Sequence, residues 1–211
     1  MNIAVPAMTA SPAGVVVVRS EKDLGRFRDA ASAAVIWDRS LPPDVSSMLA
    51  DLWPDMMPDG RVVLQVKAVA DAVRCLCDDA GMPTGKLRDW LAGDIAALAH
   101  RFAGLMRADY VRLRLQAVST NACRRFHVDA ITGRLVCTYR GTGTQYAKSR
   151  AGEETEHICT VPTGAPVLLR GSLWPPKPAA GILHRSPPIE GTGETRLVLV
   201  LDPVFDPEDH E

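Results

Sequence analysis

The sequence predicts an α+β protein folded as one compact unit, a barrel-like antiparallel β domain carrying an N-terminal helical layer. Three observations predict it. Apolar residues recur at steps of three and four through much of residues 20–108. From Tyr110 the period changes to two, and Gly- and Pro-rich breaks then cut the second half into strand-length pieces. Finally, 211 residues suit one domain of ordinary size or one with an extension, and 46% hydrophobic with 23% charged residues excludes wholesale disorder.

Taken in order, residues 1–19 are expected to form a loose leader, rich at first in Ala, Pro, Ser and Thr. Residues 20–108 form the mainly helical layer. Within it Ala33-Ala34-Val35-Ile36-Trp37 is a short strand candidate, and Leu41-Pro42-Pro43-Asp44 opens a helix with Asp44 as N-cap. Val62, Val66, Val69, Ala70, Val73 and Leu76 share one face of a helix over Arg61–Ala80, which Gly81 and Pro83 stop. Leu87, Trp90, Leu91, Ile95, Leu98 and Phe102 do the same for a helix over Lys86–Met106, where His100 and the stripe itself read as scaffold. Residues 109–205 form the β core. Tyr110–Ala117 alternates strictly, with Val111, Leu113, Leu115 and Ala117 on one face. Further strands are expected at Arg134–Tyr139, His157–Val161, Pro166–Leu169 and Thr195–Leu201. Residues 206–211 read as a solvated acidic tail.

The charge balance narrows the partners. Lys+Arg number 24 against 25 Asp+Glu, a net charge of -1, which leaves no basic surplus for a phosphate backbone. No run approaches the ~20 apolar residues that span a bilayer, and Met1–Pro6 lacks the basic start of a signal peptide. Five cysteines, an odd count with no paired framework, fit a reducing cytoplasm. Neither a membrane nor a nucleic acid is therefore the expected partner. Oligomeric state has no readable signal.

The chemistry-bearing residues lie in the β half. His127-Val128-Asp129 places an imidazole and a carboxylate two residues apart, on the same face if the segment is extended. His184 follows 57 residues later and Arg196 a further 12, inside an apolar strand. Two histidines and one carboxylate are the ligand set of a non-haem Fe(II) facial triad, although zinc and manganese accept the same donors. Plainer readings stand beside this one: a His–Asp hydrogen bond at a strand end, a loop histidine at His184, and an Arg196 paired with Glu190 or Glu194. His157 and Cys159 share a strand face and offer a softer metal pair. Cys75 and Cys77 point apart on a helix, and Gly141-Thr142-Gly143-Thr144 is too short for a phosphate loop.

Running from His127-Val128-Asp129 through Gly164–Leu169 and His184-Arg185-Ser186-Pro187-Pro188 to Arg196-Leu197-Val198-Leu199, the pattern resembles the Fe(II)/2-oxoglutarate-dependent dioxygenase superfamily. That resemblance covers roughly ninety residues and implies a double-stranded β-helix, a jelly-roll-like barrel. It implies Fe(II) bound by His127, Asp129 and His184, with 2-oxoglutarate as co-substrate. Arg196 would then grip the distal carboxylate, with a hydrogen bond from Tyr139 or Thr138, and the protein would hydroxylate an unidentified substrate, a small molecule or a macromolecular side chain. The segments around Gln145 and Tyr146 and around Trp174 are expected to form a polar lip and an aromatic wall. The whole chain also resembles an uncharacterised family of small bacterial proteins encoded near metal-trafficking proteins. That second likeness implies the alternative of a non-catalytic metal-binding or metal-homeostasis protein.

Overall fold

A computed structural model describes residues 11–148, 157–175 and 181–206. Ten strands and three α-helices lie along these residues, the helices all before the fourth strand. β1 (Val15–Val18), β2 (Ala34–Trp37), α1 (Pro43–Asp51), β3 (Gly60–Gln65), α2 (Val69–Asp79) and α3 (Lys86–Met106) make up the N-terminal half. β4 (Tyr110–Val118), β5 (Gly133–Arg140), β6 (Gln145–Lys148), β7 (Cys159–Thr160), β8 (Pro166–Arg170), β9 (Ile182–Arg185) and β10 (Arg196–Val204) follow.

These strands form two sheets. The large one has the order β1-β2-β8-β5-β10-β4-β3 and the small one β7-β6-β9. All described pairs are antiparallel except β1 with β2. The fold is thus mixed α/β with facing sheets, and the sheets do not close into the barrel expected from the sequence.

Alternation along the central strands decides which face is which. Val111, Leu113 and Leu115 of β4, Leu135, Cys137 and Tyr139 of β5, and Leu197, Leu199 and Leu201 of β10 belong to one apolar core, under the helices. α3 supplies Leu91, Ile95, Leu98 and Phe102 to that core, each 1% exposed or less. The helix ends at Arg107, whose φ of 56° is left-handed, a turn that terminates helices at some cost to a non-glycine residue. Ile36, Val136, Tyr146, Val167, Ile182 and Val198 form a second apolar cluster between the two sheets.

Several expectations are corrected. Gly60–Gln65 is a strand and not the first turns of a helix from Arg61, because its backbone pairs with β4 from Gly60↔Leu115 to Gln65↔Tyr110. Spacing compatible with a helix yields here to tertiary pairing, which its β-branched residues favour. Val15–Val18, placed in the leader by sequence, is a strand paired with β2. Asp44 does not cap α1: the N-cap position is Pro42, with no side-chain cap bond, and Asp44 instead meets Lys86. The expected strand over His157–Val161 shortens to Cys159–Thr160, and the closing strand extends past Leu201 to Val204. Residues 1–10 of the leader and 207–211 of the acidic tail lie outside the described residues.

Candidate metal centre

β9 is the element on which the site is built. It pairs with β6, where Tyr146 opposes His184, and its other side meets His127 through an isolated bridge. The His127 and His184 backbones exchange two hydrogen bonds, 3.1 and 3.0 Å long. This mutual pairing sets the imidazoles side by side, ring centroids 4.5 Å apart. Asp129 does not continue an extended strand as the sequence reading assumed. It sits in the loop before β5, fixed from behind where Ser172 N donates to Asp129 O at 2.9 Å. Gly171 makes that approach possible, since a Cβ there would lie 1.9 Å from Ile131 O and 2.8 Å from Asp129 O.

The donor atoms of His127, Asp129 and His184 all lie within 4.8 Å of one another. His184 Nε2 is 3.1 Å from Asp129 Oδ2, and His127 Nε2 is 3.6 Å from Asp129 Oδ1. Despite the short approach, Asp129 Oδ2 is buried and has no hydrogen-bond partner of acceptable geometry among the described residues. Two lone pairs aimed at a common point produce that arrangement: donors each about 2.1 Å from one ion stand about 3 Å apart at adjacent positions. His127 Nδ1 lies 2.9 Å from Arg125 O, so it carries the proton and donates, leaving Nε2 free as a ligand atom. Burial would raise the Asp129 carboxyl, but the neighbouring His184, Arg134 and His127 outweigh it and hold the group at about 2. The residues therefore fit a divalent cation.

Arg134, on β5, orders this carboxylate. Its Nη1 donates to Asp129 Oδ1 at 2.7 Å, while Nε and Nη2 grip both oxygens of Asp202 at 2.6 and 2.8 Å. Sequence reasoning missed both residues; the signal was the pleat of β5, which sets Arg134 and Thr138 on the face opposite Leu135, Cys137 and Tyr139.

Arg196 is 2% exposed. Its Nε donates to Thr142 O at 2.6 Å and Nη2 to Thr138 Oγ1 at 3.3 Å. No described carboxylate lies within ion-pair distance: Glu190 accepts from Asn121, and Glu194 accepts from Thr142 N and Oγ1. The structural pairing with Glu190 or Glu194 is therefore not made. Burial draws the guanidinium down to about 10, with Glu194 a partial offset. Arginine is rarely this buried unless paired. Gly141 (φ 80°) lets the following turn close over it, because a Cβ would lie 2.9 Å from Arg196 Cγ.

His127, His184, Arg196, Thr144, Arg114 and Arg134 all line one cavity of about 120 Å³ between the sheets. The remaining expectations fare differently. Thr138 lies beside Arg196, but Tyr139 does not. A bulge between Leu197/Val198 and Arg140/Thr138 gives β5 an extra residue. Tyr139 keeps the alternation of Leu135 and Cys137 and points to the helical side, where its hydroxyl donates to Asp94 Oδ2 at 2.7 Å. Gln145 is held by Arg185, whose Nε donates to Oε1 at 2.8 Å, and Tyr146 is buried with its hydroxyl 3.4 Å from Ser11 Oγ. Neither forms a free lip. Trp174 packs edge-on against Phe27 and beneath Arg170, lining a separate cavity with Met106 and Phe205. Of the segment expected to form that wall, residues 172–177, Pro176 and Lys177 lie outside the described residues.

A family model described as "Protein of unknown function (DUF1826)" matches residues 19–202. Comparison with curated proteins finds no match. Among solved structures, a dioxygenase for auxin oxidation from Arabidopsis thaliana in a 2-oxoglutarate complex is 10% identical. That alignment covers 93% of this chain and 94% of that one, with a TM-score of 0.58. JOX2 in complex with 2OG, Fe and JA is 11% identical, over 92% of this chain and 75% of that one, with a TM-score of 0.50. The likeness at these identities is one of fold. Among the described residues no helix is long and apolar enough to cross a membrane.

Proposed function

We propose that this chain, which belongs to the DUF1826 family of proteins of unknown function, is an Fe(II)- and 2-oxoglutarate-dependent oxygenase on a double-stranded β-helix. One observation supports this reading most: the two histidines of a His/Asp/His cluster line one cavity with a buried guanidinium that has no carboxylate partner among the described residues. A metal store or chaperone needs only the cluster. The unpaired Arg196 is costly to bury and has no use in such a protein, so the metal-homeostasis alternative is not favoured.

His127, Asp129 and His184 would hold the iron on one face, leaving the opposite positions open. Bound there, iron supplies the activation of dioxygen that oxidative decarboxylation of 2-oxoglutarate and hydroxylation require. The chain's own residues bind and orient. Arg134 restrains the Asp129 carboxylate, and Arg125 O fixes the His127 tautomer. Arg196, steadied by Thr138 Oγ1 and Thr142 O, offers its guanidinium to the distal carboxylate of the co-substrate. The apolar cluster between the sheets keeps that end of the cleft dry.

Anaerobic titration of the protein with Fe(II) and 2-oxoglutarate tests the reading. The visible charge-transfer band of a keto acid chelated to Fe(II) should appear in wild type. It should be absent in His127→Ala, and in Arg196→Ala it should need a much higher 2-oxoglutarate concentration. Tightly bound zinc and no band would sink the oxygenase reading. Unchanged 2-oxoglutarate affinity in Arg196→Ala would remove Arg196 from the co-substrate site.

A further inference from the structure

Arg114 of β4 lines the same cavity as His127, His184 and Arg196. Its position follows from register: Arg114 stands opposite Val200 on β10, two rows along the cleft face from the pair Val118↔Arg196. Whatever Arg196 holds is thus at the other end of the cavity from whatever Arg114 holds. Arg114 Nε is buried and has no hydrogen-bond partner among the described residues. The nearest carboxylate, Asp202, is 3.7 Å from Nη2 and already accepts both donors of Arg134. A buried donor left unmade costs on the order of 1–3 kcal/mol, more on a charged group, so native structures usually explain one.

Charge leads to the same place. The cavity wall carries four guanidinium groups, on Arg114, Arg134, Arg185 and Arg196. Asp129 and Asp202 both bond to Arg134, and Glu194 is held by Thr142. Arg185 leans on the Phe126 ring and on Gln145. A divalent ion and a 2-oxoglutarate dianion cancel each other, so loading the site as proposed leaves the positive surplus in place. Burial, with repulsion from Arg134 and only partly offset by Asp202, disfavours the charged form of Arg114, which an anion would reverse.

We infer that Arg114 recognises the prime substrate and that this substrate is a small organic carboxylate, bound at the end of the cavity away from Arg196. The inference rests on the oxygenase reading and extends it to a substrate class. A planar carboxylate presents two acceptors to the Nε edge of a guanidinium, and a neutral analogue of the same shape leaves that donor orphaned.

The test uses the full chain loaded with Mn(II), which does not turn over, and 2-oxoglutarate. Thermal shift and calorimetric titration compare a panel of small carboxylic acids, each paired with its primary amide. Wild type should prefer at least one acid over its amide by about ten-fold or more. Arg114→Gln should erase the preference and Arg114→Lys should keep part of it, while both variants bind 2-oxoglutarate like wild type. A panel in which no acid outbinds its amide overturns the inference, as does a preference that survives in Arg114→Gln. Loss of 2-oxoglutarate binding in Arg114→Gln, with Arg114→Lys folded and binding normally, would assign Arg114 to the co-substrate and also overturn it. Wild type that fails to bind 2-oxoglutarate sinks the oxygenase reading together with this one. Wild type that binds it but prefers no acid sinks this one alone.

Discussion

Replacing Arg134 with Met should weaken the metal centre from behind without touching a ligand. The guanidinium makes three charged hydrogen bonds, one to Asp129 and two to Asp202, and the Asp202 side chain is only 4% exposed. Removing one member of such a buried pair typically costs about 3–5 kcal/mol, because the other charge stays behind. Arg114 Nη2, 3.7 Å from Asp202, remains to offset part of this, so about 3 kcal/mol is expected. For a chain of this size that lowers Tm by roughly 6–12 °C. The Asp129 carboxylate loses the group that fixes Oδ1, which should weaken metal binding about 10- to 100-fold, the usual effect of removing a partner that orients a ligand.

Melting of the metal-free chain and Mn(II) affinity by titration read the two effects separately. Asp202→Asn is the matched control. It disturbs the buried pair but leaves Arg134 on Asp129, so Tm should fall while Mn(II) affinity stays within about three-fold of wild type. Wild-type Mn(II) affinity in Arg134→Met would refute the claim that Arg134 restrains the ligand. Equal losses of affinity in the two variants would show that the effect is one of general stability.

Three further outcomes are expected. Tyr139→Phe removes a buried hydrogen bond to Asp94, worth about 1.5–3 kcal/mol to a charged acceptor, yet metal and 2-oxoglutarate affinity should not change; weakened 2-oxoglutarate binding would return Tyr139 to the cleft. Gly171→Ala forces a Cβ against Ile131 O and Asp129 O, and the displaced loop should lower Mn(II) affinity about ten-fold or more; a folded variant with wild-type affinity would refute that. Burial pushes the Cys137 thiol up to about 12 and the Cys77 thiol up to about 11, so at mildly alkaline pH both should resist a thiol reagent until unfolding, while the exposed Cys75 and Cys123 react. Cys123 lines the site cavity, and Mn(II) with 2-oxoglutarate should slow its labelling alone; early labelling of Cys137 would contradict the packing described.

The helix over Lys86–Met106 and the strand from Tyr110 were legible because each repeats its period long enough to exclude the other. Gly60–Gln65 was not. Val62 and Val66 suit a helix face as well as a strand, and pairing with β4, remote in sequence, decides between them. Val15–Val18 and Ile182–Arg185 carry too few residues to show any period. At the site, the order of His127, Asp129, His184 and Arg196 stood out, because those residue types are chemically unusual in an apolar context. Arg114, Arg134 and Asp202 did not, because a charge alternating with apolar residues along a strand ordinarily marks a solvated face. Only the small sheet, which covers that face, turns Arg114 and Arg134 into cavity residues, and no local pattern announces it. Tyr139 is a different case: its step of two from Leu135 and Cys137 already places it on the apolar face, away from Thr138 and Arg196.

That covering sheet bears on why the charges are there at all. The helical face of the large sheet is apolar from Leu113 through Leu199, and a protein needing only stability would gain by making the cleft face apolar as well. Part of it is: Val136, Val167 and Val198 meet Tyr146 and Ile182 across the gap. The remainder carries Arg114, Arg134 and Arg196 within the same few rows, at positions where strand alternation would accept valine as readily. Arg134 finds two carboxylates, and its burial is offset within the fold. Arg196 finds only Thr142 O and Thr138 Oγ1, with Glu194 a partial offset, and the Nε of Arg114 finds no described partner, so their desolvation is incompletely offset within the described chain. Such groups weaken the apo protein and strengthen its complex with an anion by the same interaction, which is how a binding site differs energetically from a core. The cleft is accordingly the part of the molecule whose stability should rise most steeply when ligand is added.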